Sequence, residues 1–153
     1  MEKYPSQLNL GFRCCGLKVW REKKQFYKTR DKNWGRKIGE DQVKESLLIP
    51  FFSKEEGGEL RKGIVLAVLK KVVLMRDWFQ MQTSFMFFCS SLLIVYDGGM
   101  REELLTEKEI ECKVKVKLVD FSHTYKNETS EIDENTLHGI ESILKFLESL
   151  FYE

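Results

Sequence analysis

Apolar residues recur along this chain with two periods, and the period assigns the element. From position 59 to about 82 they fall at Ile64, Val65, Val68, Leu69, Val72, Val73 and Met75, extended by Trp78 and Phe79. Steps of three and four put these side chains on one broad face, which predicts the longest helix here. A second stripe, Leu137, Ile140, Leu144, Leu147 and Phe151, predicts a closing helix over 136–151. Asp133, Asn135 and Thr136 offer it N-cap side chains. Residues 113–119 alternate Lys with Val and Leu, the pattern of a strand with one wet face. Residues 11–20 read as a strand with a bulge or close backbone approach at Gly16, and 24–29, through Phe26 and Tyr27, as its hairpin partner. Residues 31–36 read as a turn broken by Asn33 and Gly35, and 41–52 as a short helix interrupted at Pro50. The aromatic and aliphatic run 85–96, stopped by Asp97-Gly98-Gly99, reads as one buried strand. Strands and long helices in this order predict an α+β domain rather than a doubly wound sheet.

Composition narrows the class. A chain of 153 residues with 42% hydrophobic and 32% charged residues and only 2 Pro fits one soluble globular domain, not a disordered tail or a fibre. The net charge of +1 conceals an asymmetry. Residues 1–39 carry 11 Lys/Arg against 3 Asp/Glu, a net of +8, whereas 101–153 carry 7 against 13, a net of −6. A head this basic predicts contact with a polyanion: nucleic acid, lipid head groups or a phosphorylated small molecule. The uncharged run 78–96 approaches the length of a membrane span, but Gln80, Gln82, Thr83, Ser84, Ser90 and Ser91 make it too polar, so a buried segment is expected. Nothing at the start resembles a signal peptide, and the expected location is the cytoplasm or nucleus. The 4 cysteines, Cys14, Cys15, Cys89 and Cys112, form no Cys-x-x-Cys and are expected as reduced thiols packed as small hydrophobes.

Candidate chemistry concentrates at 114–123, where an apolar strand runs into Asp120. A carboxylate at a strand end suits a hard divalent cation bridging nucleotide phosphates, and His123, three residues on, could exchange a proton with a substrate oxygen. On spacing alone, an aspartate that caps a turn and a half-buried histidine is the plainer reading, because Asp after a strand is common. Ser90 and Ser91 could contact a ligand from a strand otherwise expected to be core. No Gly-x-x-x-x-Gly-Lys-Ser/Thr or Gly-x-Gly-x-x-Gly loop is present.

Five segments in order carry a resemblance. Gly11-Phe12-Arg13-Cys14-Cys15-Gly16-Leu17-Lys18-Val19-Trp20 is similar to G-(F/V)-R-x-x-G-M-(R/K/Q)-V-Y, and Asn33-Trp34-Gly35-Arg36 to (H/Y)-Y-G-R. Ser90-Ser91-Leu92-Leu93 with Tyr96-Asp97-Gly98 resembles an S-S-L-L strand ending Y-(D/E)-G, and Val119-Asp120-Phe121-Ser122-His123 resembles I-D-F-A-H. Asp133-Glu134-Asn135 with Gly139 resembles D-E-G-Y-x-x-G-(L/I). These are motifs of the inositol polyphosphate kinase family, nearest its multikinase and hexakisphosphate kinase branches. His123 stands where the trisphosphate 3-kinase branch has Lys.

The resemblance implies residues 1–153 as the C-terminal lobe of a kinase-like two-lobed fold, mostly antiparallel sheet packed by long helices. It implies ATP and Mg²⁺ as cofactors and an inositol polyphosphate as substrate. Asp120 would hold the metal, Leu93 and Val119 would pack on the purine, and Lys3, Lys18 and His123 would meet the inositol phosphate. Asp120 and His123 would be the catalytic pair. The family's P-x-x-x-D-x-K-x-G motif and N-terminal lobe do not occur in this sequence, so a partner lobe, an exposed apolar lobe interface and slow turnover are expected. A catalytically inactive inositol-phosphate-binding or regulatory protein is the alternative. No membrane association is expected, and sequence-blind nucleic-acid binding rests on charge alone.

Overall fold

The computed structural model describes residues 7–152. It is α+β, as expected, and every strand pair is antiparallel. The strands do not form one sheet, however. They form three separate two-stranded ladders set around two long helices.

A single helical turn, α1 (Gln7–Leu10), precedes the first hairpin, β1 (Leu17–Arg21) and β2 (Phe26–Arg30). The predicted strand over 11–20 is therefore shorter and begins after Gly16. The close approach at Gly16 holds: at φ +139, a Cβ there would stand 2.5 Å from the Arg30 carbonyl oxygen. The turn expected at 31–36 is one turn of helix, α2 (Lys32–Gly35), because the Asp31 carboxylate accepts from the Asn33 and Trp34 N–H groups.

Residues 40–52 form a continuous helical run whose last turn is α3 (Ile49–Phe52). Pro50 does not interrupt it. It falls just after the run passes from π-helical turns (43–48) to α-helical ones, and the bond before it, Ile49 N–H to the Lys44 carbonyl, is kept.

The core lies between α4 (Lys62–Met81) and α6 (Glu134–Ser149). From α4, Ile64, Val65, Ala67, Val68, Val72 and Phe79 are buried; from α6, Leu137, Ile140, Leu144 and Leu147. The α6 stripe is the one the 3.6-residue period picks out; on α4 most of the expected face is buried, but Trp78 is exposed and Ala67 joins the core instead. Burying each such side chain contributes on the order of 1.5–3 kcal/mol, which holds the two helices as the scaffold.

The run 85–96 departs most from expectation. It divides into β3 (Phe85–Phe87) and β4 (Ser91–Val95), which belong to different ladders. Cys89, at φ 57, turns the chain between them. After α5 (Glu107–Lys113), which opens on a Thr106–Glu109 capping box, β5 (Lys115–Val119) pairs with β4. β6 (Thr124–Lys126) pairs with β3. Nor is the run buried throughout: Phe85, Phe88, Leu93 and Val95 are exposed. Of the four thiols only Cys14 is buried, contrary to the packed set expected; Cys15, Cys89 and Cys112 are exposed. Among the described residues no helix is long and apolar enough to cross a membrane.

Candidate functional site

The β4–β5 register builds the site. Ser91 pairs with Val119, Leu93 with Lys117 and Val95 with Lys115. Directly opposed residues share a face and alternate residues return to it, so Ser91, Leu93, Val95, Lys115, Lys117 and Val119 lie together. The other face, with Leu92, Ile94, Val116 and Leu118, packs on the core. The outer face is mixed: Leu93 is 48% and Val95 49% exposed, and Lys117 and Lys115 stand opposite them. Leu93 and Val119, predicted as a purine platform, thus share one open surface.

Asp120 ends this ladder. Its φ of 64 is left-handed, a region aspartate tolerates better than most residues, and it turns the chain out of β5. Its Oδ1 accepts from the Ser122 hydroxyl at 2.6 Å and the Ser122 N–H at 3.4 Å. The Ser122 hydroxyl, then its N–H, hold the carboxyl below the ordinary carboxylate range, and the charge of nearby His123 adds a smaller effect. The carboxylate is ionised and exposed. The turn-organising reading of Asp120 holds, and its carboxylate stands open to solvent. His123 is exposed rather than half-buried, and its backbone carbonyl accepts from the Phe88 N–H at 3.0 Å.

A cleft of about 1770 Å³ lies between β4 and the β1–β2 hairpin, and Ser91, Leu93 and Val95 of the open face reach it. Lys18 lines it with Arg13, Arg30, Ser90, Ser91 and Leu93. The Lys18 ammonium sits 4.5 Å from the centre of the Tyr27 ring. Val119, Asp120 and His123 do not line this cleft; they stand past its Ser90 end. The structure so gathers Leu93, Val119 and Asp120 on one strand pair and sets Lys18 in the adjoining cleft. Lys3 lies outside the described residues.

The basic head is not a single phosphate-facing edge. Arg21 is 1% exposed and donates to the Ser53 and Pro50 carbonyls, each at 2.8 Å, which closes the end of α3. Lys28 pairs with Glu56. Net charge could not separate such cations from those of the cleft. Sequence reasoning also passed over Ser122 as the donor to Asp120, although a hydroxyl two residues after an aspartate is a known turn signal.

A divalent cation fits Asp120 as one anionic ligand. Among the described residues no three His, Cys, Asp or Glu side chains gather to hold a metal by themselves. Mg²⁺ is commonly held in that way, by one or two carboxylates together with substrate phosphates and water.

Comparison with known proteins agrees with this geometry. The family model "Inositol polyphosphate kinase" matches residues 1–148. Human inositol hexakisphosphate kinase 3 is 25% identical over 92% of this chain, which spans 39% of that protein. Rat inositol polyphosphate multikinase is 35% identical over 65% of this chain, which spans 24% of it. Among solved structures, an inositol phosphate multikinase superposes over 95% of this chain and 65% of its own, with TM-score 0.80 and 24% identity. The S. cerevisiae inositol phosphate multikinase in complex with ADP and Mn²⁺ gives TM-score 0.75 at 21% identity, over 96% and 67%. These likenesses establish the kinase fold, and the match over residues 1–148 establishes the lineage: the chain belongs to the inositol polyphosphate kinase family.

Proposed function

We propose that this chain is the C-terminal lobe of an ATP-dependent inositol phosphate kinase, which transfers a γ-phosphoryl group to an inositol polyphosphate. The observation that carries this is the open β4–β5 face, where Leu93, Val95 and Val119 stand beside Lys115 and Lys117 and which ends at the exposed Asp120 carboxylate. Such a face suits a purine, and the carboxylate beside it suits the cation that screens the phosphates. In this assignment Asp120 holds Mg²⁺ and Leu93 and Val119 pack on the base. Lys18, Lys3 and His123 meet the inositol phosphate, His123 also moving the proton of the accepting oxygen. A bound Mg²⁺ would neutralise charge developing on the phosphates. Ser122 keeps the Asp120 carboxylate oriented and unprotonated. The ADP–Mn²⁺ complex of the S. cerevisiae relative supports the nucleotide and metal.

The test is incubation with ATP, Mg²⁺ and a series of inositol phosphates, with human inositol hexakisphosphate kinase 3 in parallel. Transfer to at least one of them is expected, and no transfer to any of them while the relative is active would overturn the assignment. The cations of the cleft favour a second reading, a protein that binds inositol phosphates without catalysis. It predicts that inositol phosphates raise the melting temperature, that ATP does not, and that no transfer occurs.

A further inference from the structure

The segment carrying Arg13 and Lys18 reaches the cleft from α1, and α1 is fastened to α6 at one point. The His138 Nε2 lies 2.9 Å from the Asn9 backbone oxygen. A carbonyl can only accept, so Nε2 carries the hydrogen and donates it. Around this bond the two backbones touch. Gly11, at φ +69, ends α1 with its N–H on the Gln7 carbonyl, and a Cβ there would stand 2.7 Å from the His138 ring and 2.8 Å from the Gly139 nitrogen. A Cβ on Gly139 would stand 2.8 Å from the Gly11 oxygen. Next along the chain, Phe12 meets Phe146 edge-on at 6.5 Å. On its other side, Asn9 donates to Glu40 at 3.2 Å. Gly11, Arg13, Lys18, His138 and Gly139 all line the cleft.

We infer that His138 is a positioning residue for inositol phosphate binding. It bolts the Asn9–Gly11 turn to α6 and so sets where Arg13 and Lys18 stand in the cleft. The glycine contact permits the approach but has no direction along the helix; the histidine hydrogen bond supplies the register. This rests on the functional reading above.

His138→Ala removes the donor, whereas His138→Gln places an amide N–H near the same point. In the intact chain, hydrogen exchange of peptides covering residues 8–18 is expected to quicken about tenfold in the alanine variant, the equilibrium worth of one hydrogen bond, and to return towards wild type with glutamine. Exchange over the centre of α6 should not change. By calorimetry, affinity for inositol hexakisphosphate should fall about tenfold with alanine and recover with glutamine, while ADP–Mg²⁺ binding is unaltered. Unchanged exchange over 8–18 in the alanine variant would overturn the bolt. Quickened exchange with undiminished inositol hexakisphosphate affinity would overturn the positioning role alone. A wild-type chain that binds no inositol phosphate would overturn the functional reading and this role with it, leaving the exchange result to speak for the bolt.

Discussion

The β1–β2 hairpin and the β4–β5 pair, whose strands are joined through α5, are ladders of equal length, five residues against five. Both turn a mixed surface to water: the first exposes Lys18, Thr29 and Arg30 beside Phe26 and Tyr27, the second Leu93 and Val95 opposite Lys117 and Lys115. They differ in where they place charge: the second ends in the exposed carboxylate of Asp120. The first hides Arg21 at the end of α3; the second buries only aliphatic side chains.

Substitutions can break this contrast. Asp120→Asn is expected to lower phosphoryl transfer about a thousandfold, the several kcal/mol a metal-centred clamp supplies, with stability unchanged because the carboxylate is exposed. Transfer within a few-fold of wild type would remove Asp120 from the site. Arg21→Ala should do the reverse: it leaves two carbonyls unpaired at the end of α3 and costs about 3 kcal/mol in urea unfolding, with nucleotide affinity preserved. Loss of nucleotide binding in the folded variant would mean that the two ladders are not separable.

Between the ladders, the buried Tyr96 hydroxyl donates to the Phe51 carbonyl, and burial pushes its pKa up to about 12 from an ordinary 10.0. Folding therefore favours the protonated phenol. That contribution is complete below pH 10 and is lost as pH rises to about 12, so stability should decline across that window. Tyr96→Phe should flatten the decline; an ultraviolet titration showing Tyr96 ionising near 10 would refute the burial effect. The smallest expected change is Leu93→Ala, roughly a fivefold loss of nucleotide affinity from about 1 kcal/mol of apolar contact, with a melting point close to wild type. A large fall in melting point would make Leu93 core rather than platform.

Much of this was legible from periodicity. The α4 and α6 stripes, the wet-and-dry alternation of β5 and the strand-end position of Asp120 follow from side-chain spacing alone. The division of 85–96 was not legible. No glycine or proline marks the break, and the turn is made by Cys89 in a left-handed conformation that its identity does not advertise. Pro50 misled because the run passes from π-helical to α-helical turns just before it, a change its identity does not advertise. Thr106-x-x-Glu109 is a capping signal that the sequence reading passed over, and α5 was missed with it. Arg21 could not be told from its cationic neighbours, since only tertiary structure shows a guanidinium spent on two backbone carbonyls.

One carboxylate ties the ends of this architecture together. Asp133, 1% exposed, caps α6 through the Thr136 N–H at 3.1 Å and also accepts the Phe87 N–H of β3 at 2.7 Å. One carboxylate therefore serves both across 46 positions of sequence, Oδ1 the helix start and Oδ2 the strand. The Thr136 hydroxyl also donates to the Phe87 carbonyl at 3.1 Å, so the strand cannot leave without unpairing groups on both elements, and the β3–β6 ladder and the first turn of α6 should open as one unit. The chain is thereby spared a partly melted state in which the turn bearing Asp120 hangs from a loosened ladder while the helical core stays shut.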